Sequence, residues 1–185
     1  MKHLYTKLCL GLLLPALLLL IGCSDKKTFK KKFNTVLQAE FAIADSNNVA
    51  YAQNVLLDLN NGDFGKNKND LIDFTVDSIK YYVYELNNDW ELDDKIVSAT
   101  LKVSDANNSG DYTIGQISDL NLHANYDEAN ARKLMVDNDG IDKFIGIVTN
   151  DPYKGYIKFS GEVEQVPVNF KMRVKIYVTF NAWVL

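Results

Sequence analysis

His123 is the one histidine in the body of this 185-residue chain, set in Leu120-Asn-Leu-His-Ala-Asn125 with Asp119 and Asp127 close by in sequence. A histidine beside carboxylates has the parts of a general base and its orienting group. It needs a nucleophile to act on, and no Gly-x-Ser-x-Gly elbow supplies one. A histidine at a strand end or on the surface is the plainer reading. The other histidine, His3, and both cysteines, Cys9 and Cys23, fall within the first 23 residues. The body therefore lacks the parts of a multi-histidine zinc site, a cysteine nucleophile or a disulfide framework. The 23 carboxylates from Phe33 onward leave paired-acid sugar hydrolysis open. They offer too many pairs to single one out, and no enzyme signature is present.

Asp105-Ala-Asn107-Asn-Ser109-Gly110-Asp111 sets short oxygen-bearing side chains at alternate positions, as calcium's preference for hard oxygens requires. Continued to Gln116, the run resembles the calcium loop of EF-hands. Asp105, Asn107 and Ser109 match the first three side-chain ligands, and Gly110 matches the turn glycine. Gln116 stands where the bidentate glutamate belongs, and the flanks read as strands, so the helical EF-hand fold is not implied. Asp137-Asn-Asp139-Gly-Ile-Asp142 is a poorer version, because Met135 occupies the first ligand position. Asn, Ser, Gly and Asp are also what a hairpin loop uses. A structural calcium at Asp105, Asn107, Ser109 and Asp111 is the one cofactor suggested.

Two strands carry a further candidate, a basic and aromatic stripe. Lys80, Tyr82 and Tyr84 alternate with apolar Ile79, Tyr81 and Val83, and Lys171, Arg173, Lys175 and Tyr177 alternate with Met172, Val174 and Ile176. Such faces on an acidic domain would hold a glycan or an anionic polymer through stacking and charge. Equally, they are what solvated strand faces look like, with lysine blocking edge pairing and tyrosine favouring β structure. Trp90 and Trp183 fit either account.

The elements that position these residues are mostly strands. Apolar alternation marks residues 34–44, 51–58, 76–86, 96–104, 112–122 and 156–163. Residues 60–69 read as a loop, and 70–74 have the makings of one helical turn. From Val168 to Val184 the alternation is strict, and a flat strand of that length spans about 55–60 Å. It must coil or bend through a bulge, serving two sheets or a curled one. Ile141, Phe144, Ile145 and Val148 instead fall at helical spacing, with acids from Asp137 to Asp139 to cap the start and Asn150-Asp151-Pro152 to stop it. The expected fold is mainly β: an antiparallel sandwich, Ig-like or a partly closed barrel, with one short helix near residues 139–150. A lipocalin-like closed barrel is the alternative.

The chain's first stretch says where such a domain lives. Lys2 and Lys7 precede an apolar run from Leu8 to Ile21, too short and wrongly flanked for a spanning helix but laid out as an export signal. Leu20-Ile21-Gly22-Cys23 resembles the lipobox of bacterial lipoproteins. The resemblance implies removal of residues 1–22, a thioether lipid on Cys23 and an acylated amino terminus, and it covers the signal alone. Residues 23–33 then form a lysine-rich tether, with Lys26, Lys27, Lys30, Lys31 and Lys32, and residues 34–185 a single domain. Seven of the 20 basic residues and one of the 24 acids precede Phe33, which leaves the rest at a formal charge of −10. An acidic body argues against nucleic acid as a partner. Lysines beside a lipid anchor add about 1 kcal/mol each at an anionic surface.

These observations predict a lipid-anchored protein of the cell envelope, at the outer membrane, facing either the periplasm or the exterior. Its β domain would bind a protein or glycan partner without catalysis. The alternatives are a carboxylate-dependent hydrolase of envelope or extracellular glycans, a carrier of small apolar ligands, and a structural subunit of an envelope assembly.

Overall fold

Alternation of apolar and polar side chains gives each strand one face to bury, and two such sheets pack face to face. In the computed structural model, which describes residues 29–45, 47–86, 95–164 and 166–184, Lys30–Trp183 forms one unit. One sheet orders its strands β1 (Phe29–Asp45), β9 (Val168–Val184), β3 (Leu71–Leu86) and β6 (Arg132–Lys133). The other orders β2 (Ala50–Asp58), β8 (Lys154–Val163), β4 (Lys95–Ser104), β5 (Tyr112–Asn121) and β7 (Met135–Val136). The sheets are antiparallel and do not close into a barrel. The fold is therefore a β-sandwich, and the barrel alternatives give way to it.

The core lies between the sheets. Phe41 of β1 meets Phe159 of β8 with ring centroids 5.2 Å apart, and Tyr51 of β2 packs on Phe159 at 5.3 Å and on Phe170 of β9 at 6.3 Å. On β9, Phe170, Met172, Val174, Ile176, Val178, Phe180 and Ala182 are all at most 1% exposed. Burying side chains of this size contributes about 1.5–3 kcal/mol each for the larger ones. The Tyr51 hydroxyl is buried and finds no hydrogen-bond partner.

Two helices close the end of the sandwich at which β3 starts and β9 finishes. The short helix α1 (Gly62–Asn67) sends Phe64 against Phe74, Phe180 and Tyr153 at 5.4–6.2 Å. Helix α2 (Asn138–Thr149) begins where expected: the Asp137 carboxylate accepts the Gly140 N–H at 3.1 Å. It buries Phe144 and Val148. Gly140 sits so close to β5 that a Cβ there would lie 1.7 Å from the Thr113 carbonyl oxygen.

Several elements differ from expectation. Residues 60–69 contain α1 rather than only loop, because Phe64 finds a pocket of aromatic rings that local sequence does not announce. Strand β3 begins at Leu71, so the helical turn expected over 70–74 is strand. Strand β1 begins at Phe29, so Lys30, Lys31 and Lys32, assigned to the tether, lie on it. Strand β9 stays in one sheet, and register shifts on β3 at Leu71/Asp73, Val76/Ser78 and Val83/Glu85 absorb the mismatch along its length. The turn expected at Asn87-Asn88-Asp89 and Trp90 lie outside the described residues.

The free edge of β1 is closed at one point by a side chain. The Ala42 N–H donates to Gln53 Oε1 at 2.9 Å, and the Gln53 amide donates back to the Ala42 carbonyl. One amide of β2 thus stands in for a pairing strand, which lessens the edge's availability to other chains.

Two stability predictions follow from the packing. Gly140→Ala should destabilise the fold by about 2 kcal/mol or more through overpacking against backbone, read as a lower urea midpoint. Tyr51→Phe should leave stability unchanged or raise it by up to about 1 kcal/mol, since it removes a hydroxyl that burial leaves unpaired.

Candidate functional site

The two halves of the basic and aromatic stripe lie on adjacent strands of one sheet. Pairing of β3 with β9 sets Tyr82 opposite Arg173, and Lys80 opposite Lys175. Directly opposed residues share a face, so both halves look outward together. Strand β1 flanks β9 on its other side and contributes Glu40.

Arg173 organises the centre of this face. Its Nε and Nη2 donate to Glu40 Oε1 at 3.0 and 2.6 Å, its Nη1 donates to the Tyr82 hydroxyl at 3.1 Å, and its guanidinium lies 4.3 Å from the Tyr84 ring centroid. The Tyr84 hydroxyl donates to the other Glu40 oxygen at 3.0 Å. Lys175 reaches Glu128 at 2.5 Å and Lys171 reaches Glu85 at 2.7 Å. Further along β9, the Thr179 hydroxyl contacts Asp77 at 2.8 Å and Asn34 at 3.0 Å, and Asn181 donates to Asp73 at 2.7 Å.

The stripe is thus a lattice of paired charges rather than a bare cationic surface. Burial pushes the Glu40 carboxyl up, but the hydrogen bonds from Arg173 and Tyr84 outweigh it and hold the group below the usual glutamate range. The hydrogen bond from Lys175 lowers Glu128 likewise. Those to Glu85 and Glu128 raise Lys171 and Lys175 respectively. Tyr82 is almost wholly buried beneath these groups, and Arg173 covers Tyr84. Tyr177, partly exposed, has Lys80 5.5 Å from its centroid. Stacking of a sugar on Tyr82 is therefore closed off.

Sequence reasoning missed the three glutamates that neutralise the stripe. Glu40 was legible as outward-facing, since Phe41 and Ile43 turn inward, but its partner lies 133 positions away. Glu85 was not: with Lys80, Tyr82 and Tyr84 outward, simple alternation sends it inward. The register shift between Val83 and Glu85 turns it back toward Lys171.

The calcium candidate has other occupations. The Asp105 carboxylate accepts the N–H groups of Asn107 and Ser109 at 2.9 and 2.8 Å, folding its own loop. Asp111 lies 2.6 Å from Lys158 Nζ and 3.9 Å from Lys102 Nζ, so its carboxylate is paired with ammonium groups. Among the described residues no group of three or more His, Cys, Asp or Glu side chains is placed to hold a metal. His123 follows β5 in a turn, and its Nε2 is buried with no hydrogen-bond partner. Cys23 lies outside the described residues.

No protein-family model matches the chain, and no curated protein matches it. Among solved structures, the decameric BFDV capsid protein is similar at 12% identity and a TM-score of 0.39, over 82% of this chain and 99% of that one. The 60-mer of the BFDV capsid protein gives 12% and 0.39 over 86% and 97%. Desmodium yellow mottle tymovirus gives 10% and 0.33 over 83% and 84%. At TM-scores below 0.5 these likenesses carry no argument about this chain.

The paired carboxylates give the face a pH dependence. A glutamate whose folded-state pKa is lowered contributes stability that is present above the unfolded value and lost as pH falls through the folded one. The double variant E40Q/E128Q should therefore lose less stability than wild type between pH 6 and pH 3 (about the glutamate range), as followed by thermal melting at each pH. Parallel acid limbs would contradict the pairing.

Proposed function

We propose that the chain is a lipid-anchored lipoprotein of the bacterial cell envelope, and that its sandwich is a non-enzymatic binding module. The observation that carries the reading is the assembly of Lys80, Tyr82, Tyr84, Lys171, Arg173, Lys175 and Tyr177 on one outward sheet face, braced by Glu40, Glu85 and Glu128. Hydrogen-bonded side chains are already ordered before a partner arrives, so binding there loses less rotamer entropy. The partner is a protein or a glycan outside the cytoplasm. Residues 1–22 are the export signal, Cys23 carries the lipid, and the anchor sits in the outer membrane. More than one acyl chain at Cys23 gives stable rather than transient attachment.

Support against the hydrolase reading comes from the acids themselves. Glycoside hydrolysis needs a carboxylic acid with a raised pKa. Among the described residues, where a carboxyl group is displaced it is lowered, as at Glu40, Asp58, Asp111 and Glu128. Against the apolar-carrier reading, the space between the sheets is occupied by Phe41, Phe159 and Phe170.

Cys23→Ser should move the protein from the membrane pellet to the soluble extract in cell fractionation. A photo-crosslinking residue at position 177 should give an adduct in intact cells that Lys175→Glu abolishes, while the same residue at 116, on the other sheet, gives none. Retention of the Cys23→Ser protein in the pellet would contradict the anchor. Equal adducts at 177 and 116 would contradict the binding face.

A further inference from the structure

Three lysines stand in one row across β6, β3 and β9. Lys133 pairs with Lys80, and Lys80 with Lys175. Their side chains leave the same face, at a strand spacing of about 4.8 Å. Like charges directly opposed are destabilising, and the fold relieves only one member of the row: Lys175 has Glu128. Lys80 has the Tyr177 ring, and among the described residues neither Lys80 nor Lys133 has an acid within 4 Å. The neighbouring cations of β9, Lys171 and Arg173, each have an acidic partner. Two lysines at one register position on adjacent strands thus stand without an acidic partner among the described residues.

Their position leaves them accessible. Strand β6 is the edge of its sheet, and Lys80 and Lys133 are exposed. Two lysines at one register position on adjacent strands together match the charge of one phosphate monoester, which is about −1.5 to −2 at neutral pH, or of closely spaced sulfate groups. Ion-assisted hydrogen bonds from both lysines to one set of oxygens are stronger than neutral ones.

We infer that Lys80 and Lys133, with Lys175 alongside, form a site for a phosphate or sulfate ester borne on a larger molecule. The inference rests on the reading of this face as a binding surface, and narrows it to one corner and one ligand chemistry. The ester is carried by a glycan or by a lipid headgroup, and the same amines would bind either.

The test is residue-resolved amine labelling of the full chain in detergent, read by mass spectrometry. The probes are dextran sulfate, neutral dextran, and mixed detergent micelles of phosphatidylcholine with or without phosphatidic acid. Dextran sulfate or phosphatidic acid should protect Lys80 and Lys133, and the neutral probes should not. Protection by the first alone assigns a sugar-borne ester, by the second alone a lipid-borne one. K80Q/K133Q should weaken binding of the protecting probe about a hundredfold, at about tenfold for each charged hydrogen bond lost, while K66Q, on helix α1 and away from this face, leaves it unchanged. The same double variant should melt above wild type, because it removes the opposed charges.

Three results would overturn the site: no protection of Lys80 and Lys133 by any probe, equal protection of Lys66 on α1, or a double variant that melts below wild type. Protection by neutral dextran, insensitive to K80Q/K133Q, would also overturn it while leaving the broader binding face standing. Release of Cys23→Ser from the membrane reports on the anchor alone, so the two readings fail separately.

Discussion

Burial of one face of β9 is the constraint on which the rest of the molecule depends. Seven alternate residues from Phe170 to Ala182 are withdrawn from water between the sheets, and the period of two leaves the six between them no choice but to face outward. A one-residue slip would bury Arg173 and Lys175 and expose Met172 and Val174. The same term that holds the sandwich together therefore also fixes the pattern of its outer surface.

That surface is stabilised by modest terms acting together. Exposed ion pairs contribute about 0–1 kcal/mol each, and most of those on this face are part-exposed. Their effect is more on order than on total stability. Arg173 is held by a carboxylate, a hydroxyl and a ring at once, and its planar group suits all three. A partner approaching this face meets fixed donors and acceptors, with net positive charge left at the Lys80–Lys133 corner.

The strands were legible because each carries its own period: β2, β4, β5, β8 and β9 fall close to where alternation puts them, and α2 is announced by its cap and by Phe144 and Val148 at helical spacing. What was not legible depends on contacts distant in sequence. Phe64 makes α1 only because Phe74, Tyr153 and Phe180 surround it. The bulge before Glu85 turns a residue that strict alternation would bury, and β6, two residues long, has no pattern to read. The seven stripe residues could be named from sequence, whereas their neutralising acids and the lysine row could not, because register between strands is a property of the whole sheet.

Pairing of β3 with β9 in this register is what unites the stripe. Cysteines placed at positions 82 and 173, in a Cys23→Ser background, test it most directly. Opposed positions should crosslink readily under mild oxidation, whereas cysteines at 82 and 177, about 13 Å apart along the strand direction at 3.3 Å per residue, should not. A crosslink at 82/173 and none at 82/177 is the predicted result. The reverse would separate the two halves of the face and remove the basis for reading them as one surface.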